Sequence, residues 1–228
     1  MKVSIVIPAY NEEKIISPTI EAALAQDYPD FEIIIVNNAS TDKTAEIVSK
    51  FPVKLVMESR KGLLWAREAG RNAATGDIIA NMDADCLPER DWLRRGVDKF
   101  KNGISAVSGP YDYYDGGRIF RSSSLFMQNY IYRPVAYIQQ LPFVKMGAVL
   151  IGGNNLIRAD VLRQMGGYNT DLIFYGEDTN TAKRVSKFGY VIFDPKLKMK
   201  TSARRFKQEG IIALECKYLY HFFKHVFS

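Results

Sequence analysis

Between residues 3 and 109, short apolar runs alternate with amphipathic stretches of helical period. Residues 3–8 are apolar on both sides of a period of two and end at Pro8, as a strand buried on both faces does. Residues 12–25 place Ile16, Ile20, Ala23 and Leu24 at helical spacing. The same pairing recurs. Strand patterns at 32–36, 53–57, 77–82 and 104–109 alternate with helical patterns near Ala45, Val48 and Ser49, at 63–74 and at 89–100. Thr41 or Asp42 is placed to cap the second helix. Such alternation predicts an α/β fold with a parallel sheet covered by helices. Ligands in these sheets bind beyond the carboxyl ends of the strands. Three polar clusters fall at those ends: Tyr10-Asn11-Glu12, the stretch 37–42, and Asp83-Ala84-Asp85.

After residue 110 the pattern changes. Residues 111–114 read as an aromatic strand or loop, followed by a turn at Gly116-Gly117. Residues 122–140 read as an aromatic helix kinked at Pro134, 152–155 as a loop, and 159–165 as a helix closed by Gly166-Gly167. A last helix is expected at 178–188. No repeat or linker interrupts the chain, so the second half extends the same body.

Residues 206–228 read as one amphipathic helix. Lys217, His221, Lys224 and Ser228 form a polar stripe, and Ile212, Cys216, Leu219, Phe223 and Phe227 a broad apolar side. His221 and His225 are four apart but have no evident third ligand, which predicts solvated histidines. The net charge of +6 is concentrated here: residues 196–228 hold eight of the 31 Lys/Arg and two of the 25 Asp/Glu. The remaining residues therefore carry 23 of each sign. A basic, aromatic helix of this kind can lie in a membrane interface, giving peripheral contact with the cytoplasmic membrane face, or pack on the domain. No nucleic-acid partner is expected. The longest apolar runs are too short to span a bilayer, and no secretory pattern opens the chain. Two distant cysteines, Cys86 and Cys216, fit a reducing cytoplasm.

Asp83 and Asp85, read as an extended segment, would point the same way and converge on one hard divalent cation. An acidic pair at a strand end also serves as a plain helix cap, so this motif alone decides little.

The series Pro8-Ala9-Tyr10-Asn11-Glu12, 37–42, Gly76-Asp77 and Asp83-Ala84-Asp85 resembles glycosyltransferase family 2, whose members have the GT-A fold. Lys61-Gly62, Ala66-Arg67, Gly152-Gly153-Asn154-Asn155 and Gly176-Glu177-Asp178 extend the resemblance over residues 2–205. It implies a catalytic domain over 1–205, with 1–109 on the nucleotide side and 110–205 on the acceptor side. The resemblance assigns Pro8, Ala9, Tyr10 and Glu12 to the border of a nucleotide-sugar, with Tyr10 stacking on the base. Asn38 stands at the base-reading position. Lys61, Arg67, Asp83, Ala84, Gly153, Asn154, Arg204 and Arg205 complete the donor site. Asp85, with Asp83, would hold Mn²⁺ or Mg²⁺. Asp178 is the expected general base of an inverting transfer, and Glu177 the residue orienting the acceptor. Arg67 serves equally well as a structural ion-pair partner.

Three departures stand out: Asn37-Asn38 replaces the usual acidic pair, Glu68 stands where many relatives carry Asn, and the arginine motif lacks its tryptophan. An Asn carbonyl still accepts an imide hydrogen, so a UDP-sugar donor is favoured and a GDP-sugar allowed. The acceptor is a sugar or a lipid-linked cell-envelope molecule. The competing functions are a sugar nucleotidyltransferase, which would carry a Gly-rich basic segment after the first strand, and a non-catalytic carbohydrate- or membrane-binding module.

Overall fold

A computed structural model describes residues 1–101, 103–141, 147–172 and 176–226. The strands are β1 (Val3–Ala9), β2 (Phe31–Asn38), β3 (Lys54–Glu58), β4 (Ile78–Met82), β5 (Leu87–Pro88), β6 (Ile104–Ser108), β7 (Tyr111–Tyr113), β8 (Asn154–Arg158), β9 (Tyr190–Phe193) and β10 (Met199–Thr201). The helices are α1 (Ile16–Leu24), α2 (Thr44–Val48), α3 (Leu63–Ala73), α4 (Trp92–Val97), α5 (Arg118–Met127), α6 (Arg133–Gln139), α7 (Ala159–Gln164), α8 (Glu177–Val185), α9 (Arg204–Glu209) and α10 (Ile211–Val226).

Seven strands form the main sheet in the order β3-β2-β1-β4-β8-β6-β9. β1, β2, β3 and β4 run parallel, with Val3 opposite both Phe31 and Ile78. β1 is buried from end to end apart from Pro8, because it feeds two cores at once. Ile5 and Ile7 pack with α1 and α4, while Val6 faces α3, α7 and α8. Gly70 lets α3 lie close to the sheet: a Cβ there would sit 2.3 Å from Val6 Cγ1.

The sheet is mostly parallel, as expected of this fold class, with one antiparallel strand. β8 runs antiparallel between β4 and β6. Its two asparagines read as loop, yet both are buried within a strand because the core satisfies their amides. Asn154 accepts from Trp92 Nε1 at 2.9 Å and donates to Leu197 O at 2.7 Å and Pro110 O at 3.2 Å. Asn155 accepts from Asn81 at 2.8 Å. A smaller sheet, β5-β10-β7, is built from strands of two or three residues, too short to show a period.

Two helices are also recast. The chain does not break near Pro134: α5 and α6 join through a π-helical turn (Gln128–Tyr132) into a continuous helical rod from Arg118 to Gln139, with Pro134 in the first turn of α6. The terminal stretch breaks at Gly210, whose φ of 84° is left-handed and separates α9 from α10. α10 lies against α8 and α9, and Leu214 is fully buried there. The apolar stripe expected on Ile212, Cys216, Leu219, Phe223 and Phe227, and His225, lies outside the described side chains. No described helix is long and apolar enough to cross a membrane.

Candidate active site

The carboxyl ends of β1, β2 and β4 meet as their topology requires. Asn11 and Ala39 close the first two strands in the left-handed region, at φ 54° and 55°. The two loops then interlock, Thr41 N donating to Asn11 Oδ1 at 2.8 Å and Asn11 N to Ser40 Oγ at 3.0 Å. Unfavourable backbone of this kind persists where its surroundings enforce it, often at functional sites.

Asp83, Ala84 and Asp85 follow β4 as a turn, with Cys86 N donating to Asp83 O at 3.1 Å, so they are not the extended segment read from the sequence. The two carboxylates accordingly take different partners. Asp83 accepts from Tyr111 OH at 2.7 Å and pairs with Arg67 Nη2 at 3.5 Å. Asp85 accepts from Thr201 Oγ1 at 3.1 Å and faces Arg204 Nε at 3.4 Å. Burial pushes the Asp85 carboxyl up to about 6, with Asp83 and Glu12 adding and Arg204 and Thr201 opposing. Tyr111 and Thr201, one from each of two very short strands, are site residues that no sequence pattern marks.

The second half of the site is brought in by β8 and α8. Asp178 accepts from Gly152 N at 3.0 Å through Oδ2, and its Oδ1 pairs with Arg67 Nη1 at 3.5 Å. Arg67, 3% exposed, thus bridges Asp83 and Asp178. Burial pulls its guanidinium down, but the two carboxylates outweigh it and keep it charged. The two glycines before β8 permit this closeness. A Cβ on Gly152 would lie 2.3 Å from Asp178 Oδ1, and one on Gly153 would lie 2.2 Å from Asp83 Cγ.

Glu177 and Asp178 form a coupled pair at the start of α8. Burial and the neighbouring Asp178 drive Glu177, 6% exposed, well above the usual carboxylate range. Asp178 is also raised by burial, with Arg67 and the Gly152 amide opposing that rise. Its side chain remains 36% exposed and open to the cleft.

The other expected residues are distributed as follows. Tyr10 is exposed, and Lys61 Nζ donates to its hydroxyl at 2.7 Å while lying 4.1 Å from the ring centroid. Glu12 is bound by both terminal nitrogens of Arg204, one contact at 2.6 Å, so Arg204 joins Glu12 to Asp85. Arg205 instead faces α10, where Tyr218 bonds it. Ala9 and Ala84 are buried and offer only backbone; Ala84 O already accepts from Thr19 Oγ1 at 2.8 Å. Pro8 is half-buried at the end of β1.

Two expected ligand contacts are corrected. Asn154 is fully buried with its amide committed to the core, so it supports Gly153 from behind and has no face toward a ligand. Asn38 is 4% exposed and donates to Arg60 O at 2.7 Å, while its carbonyl accepts from Gly62 N at 2.8 Å. Its amide thereby shapes the 58–62 loop. The neighbouring Asn37 Oδ1 is buried without a partner. Glu68 binds Arg71 and accepts from Tyr168 N at 3.0 Å, which fixes the turn after α7.

Among the described residues no three His, Cys, Asp or Glu side chains cluster as a full metal cage. Asp85 and Asp83 nonetheless suit a hard cation, which takes one or two carboxylates and completes its shell with phosphate and water.

Similar proteins fit this geometry. Residues 4–166 match the profile of Glycosyl transferase family 2. Glycosyltransferase AglE of Haloferax volcanii is 30% identical over 199 residues, covering 82% of this chain and 62% of its own. Glucosyl-dolichyl phosphate glucuronosyltransferase of the same organism is 28% identical, covering 82% of this chain and 59% of its own. The chain thus spans about three-fifths of these relatives. Mannosyltransferase PcManGT from Pyrobaculum calidifontis, solved with GDP-mannose and Mn²⁺, superposes with a TM-score of 0.73 at 24% identity over 98% of this chain and 62% of that one. The fold is GT-A, and the chain belongs to glycosyltransferase family 2.

Proposed function

We propose that the protein is an inverting glycosyltransferase that moves a sugar from a nucleoside-diphosphate sugar to a sugar or lipid-linked acceptor. The observation carrying this reading is the buried Arg67 bridge, which sets Asp178 opposite Asp83 across the cleft. Asp178 is open on one side and held by Gly152 N–H and Arg67, as suits a general base. It takes the proton from the acceptor hydroxyl as that oxygen attacks the anomeric carbon, while the sugar's bond to the diphosphate breaks. Glu177, buried beside it, orients the acceptor.

Tyr10 and Lys61 border the donor base and phosphates, and Arg204 leaves Glu12 to pair with the diphosphate. Asp85 and Asp83 would hold a divalent cation such as Mn²⁺ or Mg²⁺, which would supply positive charge toward the leaving diphosphate. A lipid-linked acceptor gains support from the similarity to the glucosyl-dolichyl phosphate glucuronosyltransferase.

The test is transfer from radiolabelled UDP- and GDP-sugars to lipid and sugar extracts. Asp178→Asn is expected to bind nucleotide as the native protein does and to lose at least about a hundredfold in transfer rate, the usual contribution of a positioned base. Transfer at the native rate would remove Asp178 from the reaction.

A further inference from the structure

The rod formed by α5, the π-helical turn and α6 is fixed to the molecule on one side only. Gln128 pairs its side-chain amide with the backbone of Tyr111, accepting from N at 2.7 Å and donating to O at 2.9 Å. Gln140, just beyond α6, does the same to Val191, at 2.7 and 3.0 Å. Tyr111 lies on the edge strand β7 of the small sheet, and Val191 on the edge strand β9 of the large one. Two glutamines thus take the place of a further strand and seal both edges, a standing need of open sheets. The rod contains 22 residues, Arg118 to Gln139, about 33 Å of helix.

Its opposite side is apolar and uncovered. Ile119 is 86% exposed, Tyr130 66%, Phe126 57% and Ile138 54%, and no residue of α5 is buried. Contiguous apolar surface on this scale marks an interaction site. The charges on the rod itself are of one sign. Between Asp115 and Asp160 the sequence holds no acidic residue, while Arg118, Arg121 and Arg133 lie on the rod. At the first turn a cavity of about 380 Å³ is lined by Arg118, Arg121 and Lys198, with Asp112 as its one acid, already bound by Arg121 and Lys198. The combination of an apolar ridge, arginines along the rod and a cavity with more basic than acidic side chains matches an anionic bilayer surface, apolar at its interface and phosphate-rich above it.

We infer that this rod is a membrane-docking element, lying in the headgroup region of an anionic bilayer with phosphates received at Arg118 and Lys198. The terminal helix, which its sequence leaves open to membrane contact or to packing on the domain, lies against α8 and α9. The inference goes beyond the transferase reading and does not depend on it, since docking is measured without donor or acceptor.

The experiment is co-sedimentation of the native chain with phosphatidylcholine vesicles with and without phosphatidylglycerol. Binding is expected only with the anionic lipid and is expected to weaken with salt. Arg118→Gln with Arg133→Gln should reduce the partition coefficient about thirtyfold, about fivefold for each arginine. Phe126→Ser with Tyr130→Ser should reduce it on the order of tenfold. Lys217→Gln with Lys224→Gln should leave binding within about twofold, and far-UV circular dichroism confirms folding of each variant.

Three results would overturn the inference: no binding of the native chain to anionic vesicles, loss of binding on the Lys217 and Lys224 changes but not on the rod changes, or a dimer in light scattering that the Phe126 and Tyr130 changes dissociate.

Discussion

At the scale of single residues, the site depends on charges held close together in a partly closed cleft. Asp85 shows the cost. A carboxyl raised in the folded state is penalised once it ionises, so the penalty is absent at low pH and grows between about 4 and about 6. In metal-free buffer Asp85→Asn should therefore be more stable than the native protein above about pH 7, by about 1–2 kcal/mol after loss of the Thr201 and Arg204 contacts. The gain should vanish near about pH 4. Denaturant melts at the two pH values check this, and a native protein as stable as the variant at the higher pH contradicts it. Gly153→Ala tests the closeness itself. Its Cβ would sit 2.2 Å from Asp83 Cγ, so the carboxylate must leave Tyr111 or the β8 turn must shift. Overpacking of this kind costs about 1–3 kcal/mol, and calorimetric melting reads it.

At the scale of elements, Gln128 and Gln140 are expected to anchor the rod. Gln128→Ala leaves the Tyr111 N–H and C=O without partners and should lower stability by about 1–3 kcal/mol in urea titrations. A change within error would mean that Gln128 does not anchor the rod. Much of the architecture was legible at this scale. β1 to β4, β6 and the helices between them carry long, regular apolar periods, and the sequence places them within a few residues of where they lie. β8 was not legible because Asn154 and Asn155 belong in a strand only when Trp92, Leu197 and Asn81 are there to satisfy them. β5, β7 and β10 are too short for any period, so Tyr111 and Thr201 went unmarked. Along the rod the aromatic residues are largely exposed, and Gln128, Ala136 and Gln139 are the buried ones.

For the molecule as a whole, the sheet order brings residues from distant parts of the sequence into one cleft. Placing β8 beside β4 sets Gly152 and Gly153 against the β4 turn, and α8 follows with Asp178. Arg67, at the centre, balances two carboxylates that would otherwise repel across a closed space. Asp85, Glu12 and Arg204 form a second charged group beside it, in which the arginine stands where an incoming cation and diphosphate would compete for the acids. Nucleotide and metal should therefore bind together, each strengthening the other. Isothermal calorimetry of UDP and GDP, with and without Mn²⁺, on the native protein, Asp85→Ala and Asp178→Asn measures this directly. The account predicts metal-dependent binding of a nucleoside diphosphate that Asp85→Ala loses and Asp178→Asn keeps; binding that ignores Mn²⁺, or that survives in Asp85→Ala, would contradict it.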